Sequence, residues 1–218
     1  MPKLLFLCDI RAMSDIITQI RKRIQEPLPG IDVQYQMAPF TREKIDISKD
    51  TPKDAISSAV LLLIYKQNDS LFIPLTKRQE YPGKHSGQIS FPGGKFEPED
   101  IVTSFTAQRE TKEELGFNYD IDIIGSLTPL YIPVSSFIVE PFIGLIEEDN
   151  PRFNPDSREV AEMIPLNLES LRNNEVQVLS KIIEVRDYKI KAPYFDIKGE
   201  VVWGATAMIL NEFKALIA

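Results

Sequence analysis

Residues 88–117 constrain this chain more than any other stretch. The run Gln88-Ile-Ser-Phe91 leads into Pro92-Gly93-Gly94-Lys95. A helix-forming segment follows and closes on Arg109-Glu110-Thr111-Lys112-Glu113-Glu114-Leu115-Gly116-Phe117. A helix turns about 100° per residue, so with Glu110 at zero, Glu114 lies near +40° and Glu113 near −60°. The carboxylates share an arc of roughly 100°, and Lys112 falls on the far side. Glu110 and Glu114 repel at i, i+4, which costs about 0.2–0.5 kcal/mol even on an exposed helix. Thr103, Thr106 and Ala107 continue the arc with small side chains that let this face approach a sheet. Recessed oxygens suit a hard cation such as magnesium or manganese. Arg109, four residues before Glu113, is in reach of an ion pair. Alone, the helix reads as a solvated acidic face and Pro-Gly-Gly as a plain turn. Joined as strand, loop and helix, the two meet at one point.

The rest of the chain supplies a frame for that unit. Ala59-Val-Leu-Leu-Leu-Ile-Tyr65 predicts a buried strand, Gln67-Asn-Asp-Ser70 a turn, and Leu71-Phe-Ile-Pro-Leu-Thr76 the returning strand of a hairpin. Pro74 places that second strand at an edge or a bulge. The helix of the acidic segment is expected from about Asp100 to Leu115, with Gly116 as its C-terminal cap. Further strands are expected over Asp120–Leu127, Phe137–Ile146 and Glu184–Ile190, and a closing helix over Ala205–Ile217. Near the start, Met13, Ile16, Ile17, Ile20 and Ile24 form a helical stripe, stopped by Pro27 and Pro29-Gly30. Asp32 to Pro52 reads as an irregular wrap. The expected division is an N-terminal extension, 1–54, packed on a single domain, 55–218. The expected class is α/β, with helices layered on a mixed β-sheet.

At this point the sequence resembles a known family. Gly94, Asp100, Arg109-Glu110 and Glu113-Glu114-Leu115-Gly116-Phe117 resemble the Nudix box: Gly, five residues, Glu, seven residues, Arg-Glu, two residues, Glu-Glu, one residue, Gly and an apolar residue. The chain departs from it at Asp100, which replaces Glu, at Thr111, which replaces an apolar residue, and over 101–108, a spacing of eight. Asp and the longer spacing look like the coenzyme A pyrophosphatase branch. Leu75-Thr76-Lys77-Arg78, His85-Ser86-Gly87-Gln88-Ile89-Ser90-Phe91-Pro92 and Val202-Trp203-Gly204-Ala205-Thr206-Ala207 resemble that branch's flanking patterns.

The resemblance implies a Nudix-type α/β/α sandwich and hydrolysis of a phosphoanhydride bond in a nucleoside diphosphate compound. Coenzyme A or its esters is the favoured substrate, giving 3',5'-ADP and 4'-phosphopantetheine. It implies Mg2+ or Mn2+ held by Gly94, Glu110, Glu113 and Glu114, with Arg109 orienting the carboxylates and Asp100 behind it. Glu113 thus counts as both metal ligand and catalytic residue. A general base is sought outside the helix, at Glu159 or Glu162, with Glu140 as a third candidate; ordinary surface acids are an equal reading. Thr76, Arg78, Lys84, His85 and Lys95 are the expected substrate-binding groups. Trp203 is read as core packing. Two competing readings are an ADP-ribose or nucleotide-sugar pyrophosphatase and a Nudix-like sensor without catalysis.

Composition narrows the partners. The net charge is −7, from 25 basic and 32 acidic residues among 218. Such a chain binds nucleic acid poorly, because that affinity comes from neutralising phosphates. A phosphate ligand therefore needs local cations or a metal. Cys8 is the single cysteine and forms no internal disulfide. Leu4 to Cys8 is too short for a secretion signal, and no run approaches a membrane span. A cytoplasmic protein acting on a small molecule is expected, and the sequence leaves a homodimer open. Whether Met1 or Met13 is the natural start is open as well.

Overall fold

The run Ile56–Gln67 forms β1, and its two apolar faces set the layers of the molecule. Successive side chains on a strand point to opposite sides. Ala59, Leu61 and Leu63 accordingly join one core, and Leu62 and Ile64 another, all fully buried. The structure is a computed structural model, and it describes residues 15–47, 49, 52–80, 87–185 and 188–218. The expectations for Cys8, Met13, Lys84 and His85 lie outside the described residues.

β1 pairs in parallel with β7, Phe137–Asp149, along nearly its whole length. Its far end turns at Asn68-Asp69, both at positive φ, into β2, Ser70–Arg78. Its near end pairs antiparallel with β4, Gly93–Lys95. β3 (Ile89–Ser90), β5 (Asp122–Ser126), β6 (Leu130–Ile132) and β8 (Val160–Asn167) complete an eight-stranded mixed sheet. A second, three-stranded sheet holds β9 (Gln177–Val185), β10 (Tyr188–Ile197) and β11 (Glu200–Trp203). Lys77 of β2 reaches Glu200 of β11 at 2.7 Å and ties the sheets together.

Helices cover both faces of the large sheet. On one face, α3 (Thr103–Leu115) packs Ala107 and Leu115 against Ala59, Leu61, Leu63 and Phe142. On the other, the helix at residues 15–23 (α1), α4 (Leu168–Arg172) and α5 (Gly204–Ile217) share a core with Leu62, Ile64 and Ile143. The α1 stripe buries Ile16 and Ile20 there. This is an α/β/α sandwich around a mixed sheet. Among the described residues no helix is long and apolar enough to cross a membrane.

Several sequence expectations are corrected. Residues 184–190 are not one strand: β9 ends at Val185 and β10 begins at Tyr188, antiparallel to it. The segment after Asp32 is not wholly irregular. A short helix, α2 (Gly30–Gln34), and a 3-10 turn, Tyr35–Met37, fold inward and bury Gln34 and Met37. Pro74 meets its expectation: one side of β2 is unpaired there, and the pairing of β2 with β8 shifts register at Lys77–Arg78. It sits opposite Pro165 of β8, where β2 has parted from β1 and not yet met β3. There the missing N–H costs no ladder bond. Trp203 is half-buried and lies outside both cores.

Candidate active site

The loop after β4 ends in a 3-10 turn, Pro98–Asp100, closed by a reciprocal cap. The Glu97 side chain accepts from the Asp100 backbone, and Asp100 accepts from the Glu97 N–H at 3.0 Å. Ile101 follows with φ 63, and α3 starts at Thr103, not at Asp100 as expected. The eight-residue spacing between Asp100 and Arg109 is therefore taken up outside the helix. The extra residue is turned out at Ile101, which is 76% exposed.

This arrangement lets Asp100 reach Arg109. The buried Asp100 carboxylate accepts from Arg109 Nε at 2.8 Å, from Nη2 at 3.0 Å and from Thr106 Oγ1 at 2.9 Å. Those bonds, the guanidinium's first among them, hold its carboxyl far below the usual range and raise Arg109 in turn. The two-point grip fixes the guanidinium plane. Its remaining nitrogen, Nη1, reaches Glu110 at 3.0 Å and Glu113 at 3.3 Å, and Nη2 also reaches the Lys95 carbonyl at 3.4 Å. The expected Arg109–Glu113 pair is thus present, with Glu110 sharing it.

Glu110 lies against Gly94. A Cβ at Gly94 would come within 2.3 Å of Glu110 Oε1, so only glycine admits the carboxylate so close to the loop. Burial raises the Glu110 carboxyl above its ordinary value, Arg109 opposes this, and the charges of Glu113 and Glu159 add to the rise. Glu114 is deeper still, 7% exposed. Its Oε2 accepts from Thr76 Oγ1 at 3.2 Å and its Oε1 from the Gly93 N–H at 3.3 Å. Burial pushes its carboxyl up to about 7 against the pull of Gly93, Arg78 and Thr76.

Other expected residues divide by strand parity. Arg78 shares the Thr76 face, and its charge acts on Glu114. Glu162 pairs with Lys77 and so points to the opposite face. It lies in β8, near the start of the strand. A bulge follows, with Arg78 opposite Val160, and beyond it Glu159 returns near enough for its charge to act on Glu110. Glu140 faces α3 beside Ala59 but is occupied by Thr103 Oγ1, which donates to it. Lys95 is exposed. Thr76, expected to meet substrate, is 1% exposed and meets Glu114 instead. Thr106 was read only as small, whereas its hydroxyl holds Asp100.

The donors near Gly94 are all oxygen, the set a hard cation takes. Among the described residues the hydrogen-bond partners of Glu114 are neutral, so none of them cancels its charge. Among the described residues no three acidic or histidine side chains gather into a cluster that could hold a metal ion as they stand. Glu110 and Glu113 are instead drawn to Arg109.

A mixed sheet between helical layers, with a glycine loop opening onto a helix of inward carboxylates, defines the Nudix class. The model of the NUDIX domain matches residues 56–185, and the chain belongs to the Nudix family. It is 33% identical over 191 residues to the Arabidopsis thaliana protein named Nudix hydrolase 15, mitochondrial, covering 83% of this chain and 63% of that one. It is 34% identical over 137 residues to the Homo sapiens mitochondrial coenzyme A diphosphatase NUDT8, covering 62% of this chain and 58% of that one. The matched region thus spans less than two thirds of either relative. A solved Caenorhabditis elegans Ap4A hydrolase complex aligns over 74% of this chain and 96% of that one, with 17% identity and a TM-score of 0.48.

Proposed function

We propose that this chain is a metal-dependent pyrophosphohydrolase of nucleoside diphosphate compounds. Its favoured substrate is coenzyme A or an ester of it, cleaved to 3',5'-ADP and 4'-phosphopantetheine. One observation carries the reading: the upstream segment Leu75–Arg78 and the glycine loop meet on a single carboxylate, Glu114. The segments that resemble the coenzyme A branch and the Nudix box are therefore one site. The similarity to human NUDT8, whose name states coenzyme A diphosphatase, supports the same substrate.

Glu110, Glu114 and the Gly94 carbonyl, with Glu113 once it leaves Arg109, are the residues to hold Mg2+ or Mn2+. Bound there, such an ion supplies charge neutralisation on the phosphates and a more acidic water. Asp100 keeps two nitrogens of Arg109 when Glu110 and Glu113 turn away, so the guanidinium stays in place. Arg78, half-buried on the same face, is suited to grip a phosphate. Glu159 is the better-sited general base, since its charge acts on Glu110, whereas Glu162 lies across the sheet.

The test incubates the full chain with Mg2+ or Mn2+ and coenzyme A, ADP-ribose, NADH or a nucleoside triphosphate, and separates the products. Release of 3',5'-ADP from coenzyme A well above the other turnovers is expected. Hydrolysis of ADP-ribose alone would keep the chemistry and discard the substrate. No turnover with either metal would discard the enzyme.

A further inference from the structure

Glu114 is the deepest carboxylate of α3, and among the described residues each of its oxygens has one neutral donor. A cationic partner would fix the group but cancel its charge. A hydroxyl and an amide fix it and leave the charge intact. The amide, from Gly93, belongs to the loop. The hydroxyl, from Thr76, belongs to β2 at a place where that strand is paired on both sides, with Met163 of β8 and Ser90 of β3. Thr76 is therefore anchored on a rigid element, and rigid supports hold site groups in geometry better than loops do. Its single proton has two acceptors in reach, Glu114 Oε2 at 3.2 Å and the Ser90 carbonyl at 3.4 Å. With the residue 1% exposed, its hydroxyl is turned to these acceptors inside the protein.

We propose that Thr76 is a positioning residue for metal binding: its hydroxyl holds the Glu114 carboxylate at the site. The inference rests on the metal-dependent reading above and names a support from outside the box helix. Valine matches threonine in shape and lacks the hydroxyl, so Thr76→Val removes the hydrogen bond with little change in volume. Thr76→Ser keeps it.

The experiment titrates the metal-free full chain with Mn2+, following free Mn2+ by electron paramagnetic resonance, and then measures kcat and KM. Thr76→Val is expected to weaken Mn2+ binding by about 10–100-fold, the usual cost of losing a support behind a ligand. At saturating metal its kcat falls while KM stays within about threefold, and Thr76→Ser restores both Kd and kcat to near wild type. Thr76→Ala serves as the hydroxyl-free variant if Val does not fold. Mn2+ affinity within about twofold of wild type in the Val or Ala variant overturns the proposal. So does an equal loss in the Ser variant, which would mark packing as the cause. Wild-type chain that neither binds Mn2+ nor turns over any nucleoside diphosphate overturns the hydrolase reading itself, and this proposal with it.

Discussion

Arg109 organises the site by dividing its nitrogens, two to Asp100 and one to the pair Glu110 and Glu113. The Asp100 end is buried and doubly bonded, and the Glu113 end is largely exposed at 3.3 Å. The first bond is the strong one, because charge-assisted two-point contacts out of water exceed screened surface pairs. Asp100 titrates below its ordinary value, so its contribution to stability is present above pH about 4 and is lost as pH falls further. Wild-type chain should lose melting temperature between about pH 4 and 2 more steeply than Asp100→Asn. At pH 7 the variant should be less stable by about 1.5–3 kcal/mol, the value of a hydrogen bond to a charged group. Parallel melting curves for the two proteins across that range would remove Asp100 as the anchor.

At the scale of elements, α3 is framed by two backbone devices. At its start, Ile101 carries φ 63, which costs a β-branched residue about 1–3 kcal/mol. That strain keeps Asp100 and Arg109 in reach despite the longer spacing. At its end, Gly116 caps the helix at φ 62, and its N–H donates to the Lys112 carbonyl at 2.9 Å. A Cβ there would lie 1.8 Å from the Asn154 carbonyl oxygen, in a loop that is itself bonded to Leu115 and Glu114. Gly116→Ala should therefore destabilise the chain by more than about 1 kcal/mol, from backbone strain plus the clash. Urea unfolding measures this, and an unchanged midpoint would show that the loop moves aside freely.

Across the whole molecule, the face opposite α3 is locked by one buried carboxylate. Glu212 of α5 is fully buried and accepts from Gln34 Nε2 at 2.7 Å, Gly30 N at 3.1 Å and Thr128 Oγ1 at 2.6 Å. It joins the N-terminal segment, the link between β5 and β6, and the last helix. A buried acceptor with several donors is satisfied, and removing it strands the donors at about 1–3 kcal/mol each. Glu212→Ala should cost about 3 kcal/mol or more in thermal melts. Mn2+ affinity should stay within about twofold, since α3 lies on the other side of the sheet. Loss of metal binding in a folded variant would show that the two faces are coupled.

The sequence by itself determined whatever depends on short spacing. The helical arc of Glu110, Glu113 and Glu114, the Arg109–Glu113 pair, the cap at Gly116 and the β1–β2 hairpin all follow from chemistry within a few residues. Tertiary structure decided what depends on register. Whether Glu162 or Glu159 approaches Glu110 turns on one bulge in β8, which reverses strand parity and leaves no local mark in composition. Thr76 read as a substrate contact because a hydroxyl beside Lys77 and Arg78 suits a phosphate. Only the pairing of β2 with β3 and β8 shows it buried against Glu114. Gln34 and Glu212 lie 178 residues apart, and no periodicity in either segment announces their contact. Long-range polar pairs arise when elements pack, after local propensity has done its part.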